Sequence, residues 1–415
     1  MFFVYEVLLY LVLVVALPFF LVAGVLRGKY LSNFPERAGF HRSRAQAHDL
    51  WLHAVSVGEA IAARPVMTAI ERMRPETSVV ITTTTITGQA QAKRLYPHAT
   101  VTYFPFDFSF AVRRFLDHHQ PRAFATMETE IWPNAARISK SRGVRLLLAN
   151  GRLSDRSYPK YRLLRPFLGR VLRAYDRILA REELDRERFV AIGAPREIVE
   201  TTGNVKFDYE PDQSPLTIAP ELTALIANRP VVVLGSTLEG EDEELIREME
   251  KADGVFFVIA PRKPERFEPV AALLSMTKMR VARRSAWPLP SNEDADVLLL
   301  DTIGELARIY RYATVAFVGG SLVPAGGHNP IEPAAAGVPV CFGPSMTNFR
   351  EIASVFLRNG AAKEVASAKD AIDFARAMIA DEAARTAMGN RARNTVAENR
   401  GASERTAQRI VELLS

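Results

Sequence analysis

Only one of the 415 residues, Cys341, is a cysteine, which excludes an intramolecular disulfide and any cysteine-rich zinc site. Its flanks, VPVCFGP, read as a buried strand, so the thiol is expected to act as a small apolar side chain. Long low-complexity tracts are missing as well. With 48% hydrophobic and 24% charged residues, the composition is that of a folded protein. No strand-like run is followed by a full GxGxxG with a ribose-binding acid at the usual distance, which counts against a dehydrogenase. Charge is scarce at the start of the chain, where Glu6 is the only charged residue from Phe2 to Leu26.

That apolar run is followed at once by Arg27 and Lys29, and it is long enough to cross a hydrocarbon core about 30 Å thick. Residues 1–27 are therefore expected to form a membrane-anchor helix. The positive charges follow the run instead of preceding it, and no small-residue cleavage pattern stands out, so a retained anchor is preferred to a cleaved signal. Basic residues on the C-terminal side leave the body of the protein in the cytoplasm. Pro18 permits a span but also a segment lying partly in the membrane interface.

What the sequence has in quantity is basic charge in its first half. Through Val205 there are 29 Lys and Arg against 18 Asp and Glu, and after it 24 against 29. Such asymmetry calls for an anionic partner, whether a membrane face, an acidic lipid or nucleic acid, unless the surface is merely solvated.

A chain of this length is expected to form two domains. Apolar stretches alternate with amphipathic ones through DLWLHAVSV, SVVITTT, VTYFPFD, AFATMETE and VRLLLAN, and RILARE followed by VAIGA closes the first half. A second series runs through PVVVLGS, GVFFVIAP, a short strand at 279–282, DVLLLD, TVAFVGG and VPVCFG. This is the rhythm of βαβ units in parallel sheets. The expected boundaries are an N-terminal domain over 28–206, a Pro- and Asp-rich linker over 207–220, and a C-terminal domain over 221–415. Amphipathic helices from 366 to 415 can pack on either lobe. The expected fold class is α/β, with two Rossmann-like parallel-sheet domains facing a cleft, and ligands gathering beyond the carboxyl ends of strands.

Five clusters fall just after those apolar runs. In HAVSVGE, Glu59 follows a turn at Gly58 near a helix start, where the dipole and free amides favour its ionised form. It is either a general base or a first-turn cap. METEIWPN brings Glu128 and Glu130 to a strand end, to support a base, bind acceptor hydroxyls or form structural ion pairs. GSTLEGEDE places Ser236 and Thr237 where small residues let amides approach a phosphate. APRKPERF supplies Arg262, Lys263 and Arg266, cations for phosphate or carboxylate, or else an exposed basic loop. In FVGGSLVPAGGHNPIEP, Gly326 and Gly327 precede His328 and Asn329. Glu332 falls in the first turn of a helix whose amides face a phosphate, and it is placed to accept from ribose hydroxyls.

In order, HAVSVGE, TTTTITG, YFPFD, METEIWPN, NGRLSDRS, GNVKFD, GSTLEGE, PRKPERF, DTIGEL and FVGGSLVPAGGHNPIEP resemble the 3-deoxy-D-manno-octulosonic acid (Kdo) transferases of lipid A assembly. These are inverting glycosyltransferases of the two-lobed GT-B type. The resemblance runs from the N-terminal segment to about Phe356. It implies CMP-Kdo as donor, a phosphorylated disaccharide lipid A precursor as acceptor, and action at the cytoplasmic face of the inner membrane. Glu59 would be the base, with Glu128 and Glu130 as further acids important to activity. The CMP pocket would be formed by Ser236, Thr237, Arg262, Gly326, Gly327, His328, Asn329 and Glu332, with Lys206 and Asn348 nearby. Leu238 and Lys263 stand where the family often has histidine. Arg152, Arg156, Arg162 and Arg165, interleaved with Tyr158, Tyr161 and Phe167, suit a surface lying against lipid head groups. No cofactor, metal or nucleic acid is implied. The alternatives are a GT-B transferase using a uridine-diphosphate sugar, and a non-catalytic module binding anionic lipid.

Overall fold

The computed structural model describes residues 1–27, 33–41, 44–210, 214, 216, 218–288 and 294–415, side chains at 16–27 and 219 excepted. The expected basic flank at Lys29 lies outside the described residues, as do 211–213, 215 and 217 of the expected linker. The chain forms two units, Met1–Asp208 with Arg400–Ser415, and Tyr209–Asn399.

The first unit is built on seven parallel strands: β1 (Leu50–His53), β2 (Val79–Thr83), β3 (Thr100–Tyr103), β4 (Ala123–Met127), β5 (Arg145–Gly151), β6 (Arg177–Ala180) and β7 (Val199–Thr201). Their order is β3-β2-β1-β4-β5-β6-β7. Helices cover both faces, so the strands read as nearly unbroken apolar runs. Leu50 and Leu52 of β1 point into one core with Val66, Ile70 and Leu147, and Trp51 points into the other with Phe115, Phe124 and Leu148. Trp51 and Phe124 stack at 3.8 Å between centroids. The run VAIGA, expected to close the first half, ends the helix Glu183–Ala191 instead, and the short strand β7 follows it.

The second unit repeats the plan with β8 (Val231–Thr237), β9 (Phe256–Pro261), β10 (Val281–Arg283), β11 (Val297–Leu299), β12 (Val315–Val318), β13 (Val340–Phe342) and β14 (Ala362–Glu364). The order is β10-β11-β9-β8-β12-β13-β14, again with parallel neighbours. Cys341 lies buried in β13, as its flanks foretold. Strand order reverses beside β1 and β4 in the first unit, and beside β8 and β12 in the second. Such switch points open a crevice at the carboxyl ends of the strands.

Both ends of the chain pack on the first unit. Residues Phe2–Arg27 form a helix. Its Tyr5 hydroxyl donates to Asp107 at 2.8 Å, and Glu6 accepts from the Ser109 amide and hydroxyl at 2.9 and 2.8 Å. Phe2 and Tyr5 each lie 5.5 Å from the Phe167 ring. Among the described residues no helix is long and apolar enough to cross a membrane, so the anchor expected over 1–27 is not shown.

The last helix, Ala402–Leu414, inserts Ala402, Ala407, Ile410 and Leu414 into the same core as Leu50 and Leu52. Arg409 pairs with Glu200 at 2.9 Å. Burying each Ile or Leu contributes about 1.5–3 kcal/mol. Deleting residues 402–415 is therefore expected to speed hydrogen exchange through β1, β2 and the helix Arg64–Met73 while leaving β8 and β12 protected. Unchanged exchange in the first sheet would contradict this packing.

Candidate functional site

The carboxyl ends of β1 and β4 bring three acids together. Ser56 opens the six-residue helix Val57–Ala62, and Glu59 in its first turn folds back to accept from the Val55 amide at 2.7 Å. Partial burial, reinforced by the negative charges of Glu128 and Glu130, pushes its carboxyl up to about 8. This reverses the expected ionised state. One backbone donor and a six-residue helix do not outweigh desolvation beside two other carboxyls.

Glu128 follows β4 with φ at 59°, in the left-handed region that side chains with a Cβ seldom occupy. Its own burial opposes a charge, but Arg181 and Lys206 overcome that and hold its pKa at about 2. Nη2 of Arg181 lies 2.7 Å and Nζ of Lys206 3.2 Å from its Oε1. Burial and the Glu128 charge push Glu130 up to about 7. The sequence reading overlooked Arg181, which is 4% exposed and set by the irregularity in β5. There Asn150, at φ 56°, accepts from Nε of Arg181 on its carbonyl and from the Val205 amide on its Oδ1. NGRLSDRS, RILARE and GNVKFD thus converge on one carboxylate.

Lys206, expected near the nucleotide, belongs to the first unit and to Glu128. Arg152, partly buried, lies close enough to Lys206 to disfavour its charge, after burial and alongside Arg181. Arg156, Arg162 and Arg165 are exposed, as is Leu163, at 83%. His53, at the end of β1, is fully buried, and desolvation pushes it down to about 3, so it is a neutral wall of the site.

In the second unit, the loops after β8, β12 and β13 interlock. Ser236 also holds φ at 59°. A Cβ on Gly319 would lie 2.5 Å from the Ser236 carbonyl, so only glycine allows these two loops to touch. Glu241, 1% exposed and not singled out by the sequence reading, accepts from the amides of Leu238, Gly320, Ser321 and Leu322 at 2.6–3.1 Å. Its carboxylate fills the nest that glycines after a strand would otherwise offer to an anion. Arg266 is likewise engaged, with the buried Asp242 at 2.8 Å.

The remaining groups of this unit surround Arg262. That residue is exposed, anchored by its amide to the Thr237 carbonyl at 2.9 Å, and has no ion-pair partner among the described residues. Burial first and the Arg262 charge second push His328 down to about 4, leaving it neutral, with Nε2 buried and unpartnered. Burial raises Glu332, against bonds from Asn329 at 3.2 Å and the charge of Arg262. Asn329 also takes the Ile331 amide at 3.1 Å. The amides of Gly326 and Gly327 go to Ser345 Oγ and the Gly320 carbonyl. These two amides are therefore engaged within the unit. The glycines at 326 and 327 serve instead to admit Met346 and the exposed Asn348, whose amide donates to the Gly326 carbonyl at 2.9 Å. Arg262 is thus an exposed cation beside His328 and Glu332, while Thr237 is fully buried.

Residues 32–209 match the family model described as 3-Deoxy-D-manno-octulosonic-acid transferase (kdotransferase). The chain is 35% identical over 395 residues to the 3-deoxy-D-manno-octulosonic acid transferase of Haemophilus influenzae, covering 93% of this chain and 91% of that protein. To the transferase of the same name from Bordetella pertussis it is 37% identical, covering 91% and 90%. Among solved structures, UDP-GlcNAc 2-epimerase from Neisseria meningitidis, bound to UDP-GlcNAc, matches 89% of this chain and 99% of its own. Its TM-score is 0.58 at 15% identity, a likeness of fold.

Removing the Glu128 charge is expected to lower the Glu59 pKa, since like charge raises it. In Glu128→Gln, the limb of kcat/KM that rises with pH toward about 8 is expected to move to lower pH. A limb that stays in place would separate the two carboxyls.

Proposed function

The chain belongs to the 3-deoxy-D-manno-octulosonic acid transferase family, and on that premise we propose that it moves Kdo from CMP-Kdo to the phosphorylated disaccharide lipid A precursor, lipid IVA, with inversion. The supporting observation is the carboxyl of Glu59, poised at about 8 beside an ionised Glu128. A base is most effective when its pKa lies near the working pH. At pH 7 about a tenth of Glu59 is ionised on that value, and this fraction rises with pH.

The acceptor hydroxyl forms its bond to the anomeric carbon of Kdo as its proton passes to the Glu59 carboxylate. The bond to the phosphate oxygen breaks on the opposite face, and CMP departs with the electron pair. Arg262 stabilises the charge on that phosphate, and Glu332 and Asn329 hold the ribose hydroxyls. Ser236 and Thr237 line the same loop. Glu130 and Arg152 bind the acceptor side in the first unit.

Because the acceptor is a lipid, the protein works at the cytoplasmic face of the inner membrane. Exposed Phe3, Val4, Leu8, Leu11 and Val12 of the N-terminal helix give it an apolar face, and Leu163 with Arg162 and Arg165 an amphipathic one. Such surfaces lie in the interface of anionic bilayers. Arg162→Glu/Arg165→Glu is expected to weaken flotation with anionic vesicles; equal flotation would remove these arginines from the membrane face.

Incubation with CMP-Kdo and lipid IVA is expected to add Kdo to the lipid by mass analysis, while UDP-sugars add nothing. Glu59→Gln is expected to lower turnover about 10²- to 10⁴-fold with CMP binding retained. Transfer from a UDP-sugar in preference, or full activity in Glu59→Gln, would contradict this reading.

A further inference from the structure

The acids occupy the carboxyl edge of the first sheet. The amino edge carries a cluster that sugar transfer does not use. His41, His118 and His119 each offer one ring nitrogen to a common space, the three atoms within 4.8 Å of one another. The rings pack with centroids 4.4 Å (His41 on His118), 4.7 Å (His41 on His119) and 4.6 Å (His118 on His119) apart. His119 is 2% exposed, and neither of its ring nitrogens has a hydrogen-bond partner. Nε2 of His41 is also buried without one. Leaving a buried polar atom unpaired costs about 1–3 kcal/mol, so the orphaned nitrogens of His41 and His119 make a poor core, and an ion bound by one of them from each ring would offset part of that cost.

The surroundings hold that set in place. His118 and His119 end the helix Ser109–His119, whose carbonyl dipole favours a cation there. The carbonyls of His118 and His119 accept from the amides of Gln46 and His48 at 2.9 Å, which pins the chain entering β1 to the end of this helix. His48 braces the group instead of joining it, with Nδ1 3.3 Å from the His119 carbonyl and Nε2 3.1 Å from Thr100 Oγ1.

We propose that His41, His118 and His119 bind a divalent transition-metal ion of the zinc class, a structural ion with water as its fourth ligand. Imidazole suits zinc, copper and nickel, and calcium or magnesium would require oxygen ligands. Zinc–nitrogen bonds of about 2.0–2.1 Å place tetrahedral ligands about 3.3 Å apart, which modest ring rotations reach. His41 and His118 are only partly buried, giving the ion a way in. The bound ion would clamp the segment before β1 onto the helix Ser109–His119, at the edge opposite Glu59.

The full-length chain, stripped of metal, is the material for the test. Calorimetric titration with Zn²⁺ is expected to show one ion per chain and a rise in Tm that Mg²⁺ does not give. Co²⁺ in its place is expected to give the intense visible absorption of a tetrahedral site. His41→Gln and His118→Gln replace partly exposed rings, so folding is expected to survive, and each should weaken Zn²⁺ at least tenfold. His98→Gln, at an exposed position, should leave affinity unchanged. Absence of saturable one-to-one binding, or equal affinity in His41→Gln and His118→Gln, would overturn the proposal.

Discussion

Glu128 carries a charge where burial opposes one, and Arg181 and Lys206 keep it ionised. The remaining features of the first unit's site follow from that ion cluster. The left-handed backbone at Glu128 aims the carboxylate, the irregular β5 strand aims Arg181, and the 3-10 turn Val205–Asp208 delivers Lys206. A buried charge stripped of its partners is strongly destabilising, so the three positions are interdependent. The fixed negative charge then acts on Glu59, adding to desolvation to keep its carboxyl protonated until the pH approaches about 8. A site that holds a carboxyl neutral loses stability as the pH rises from the ordinary glutamate range through that value, because the folded state binds the extra proton.

The second unit relies on a different carboxylate. Glu241 gathers the amides of Gly320, Ser321 and Leu322 and so freezes the loop after β12 against the loop after β8. On the proposed reading these bonds would preorganise the loops that carry His328 and Glu332, and preorganised charge costs no reorganisation during reaction. In the first unit Glu59 and Glu128 follow β1 and β4, and in the second Ser236 lies near the end of β8 and His328 follows β12, the strands that flank each sheet's switch point.

Much of this was legible in the sequence. The two parallel-sheet domains followed from apolar runs at βαβ spacing, and the three acids from their places after β1 and β4. Strands β7 and β14 escaped notice because three-residue segments such as Ala362–Glu364 carry too little periodicity. Glu59 was expected to be ionised because sequence shows a helix start but not the carboxyls that fold against it. Arg181 and Glu241 were not singled out, since nothing local distinguishes a buried charged side chain from a solvated one. The acceptors that engage the amides of Gly320 and Gly326 were hidden for a similar reason, since Glu241 and Ser345 are distant from them in sequence. The histidine cluster joins His41 to His118 and His119 across more than seventy positions, a separation that spacing rules do not bridge.

The protonation state of Glu59 is the central claim, and infrared difference spectroscopy between the protein and Glu59→Gln measures it directly. The account predicts a protonated carboxyl band at neutral pH that disappears near pH 8 and is absent from the variant. Titration of Glu59 in the ordinary glutamate range would contradict it.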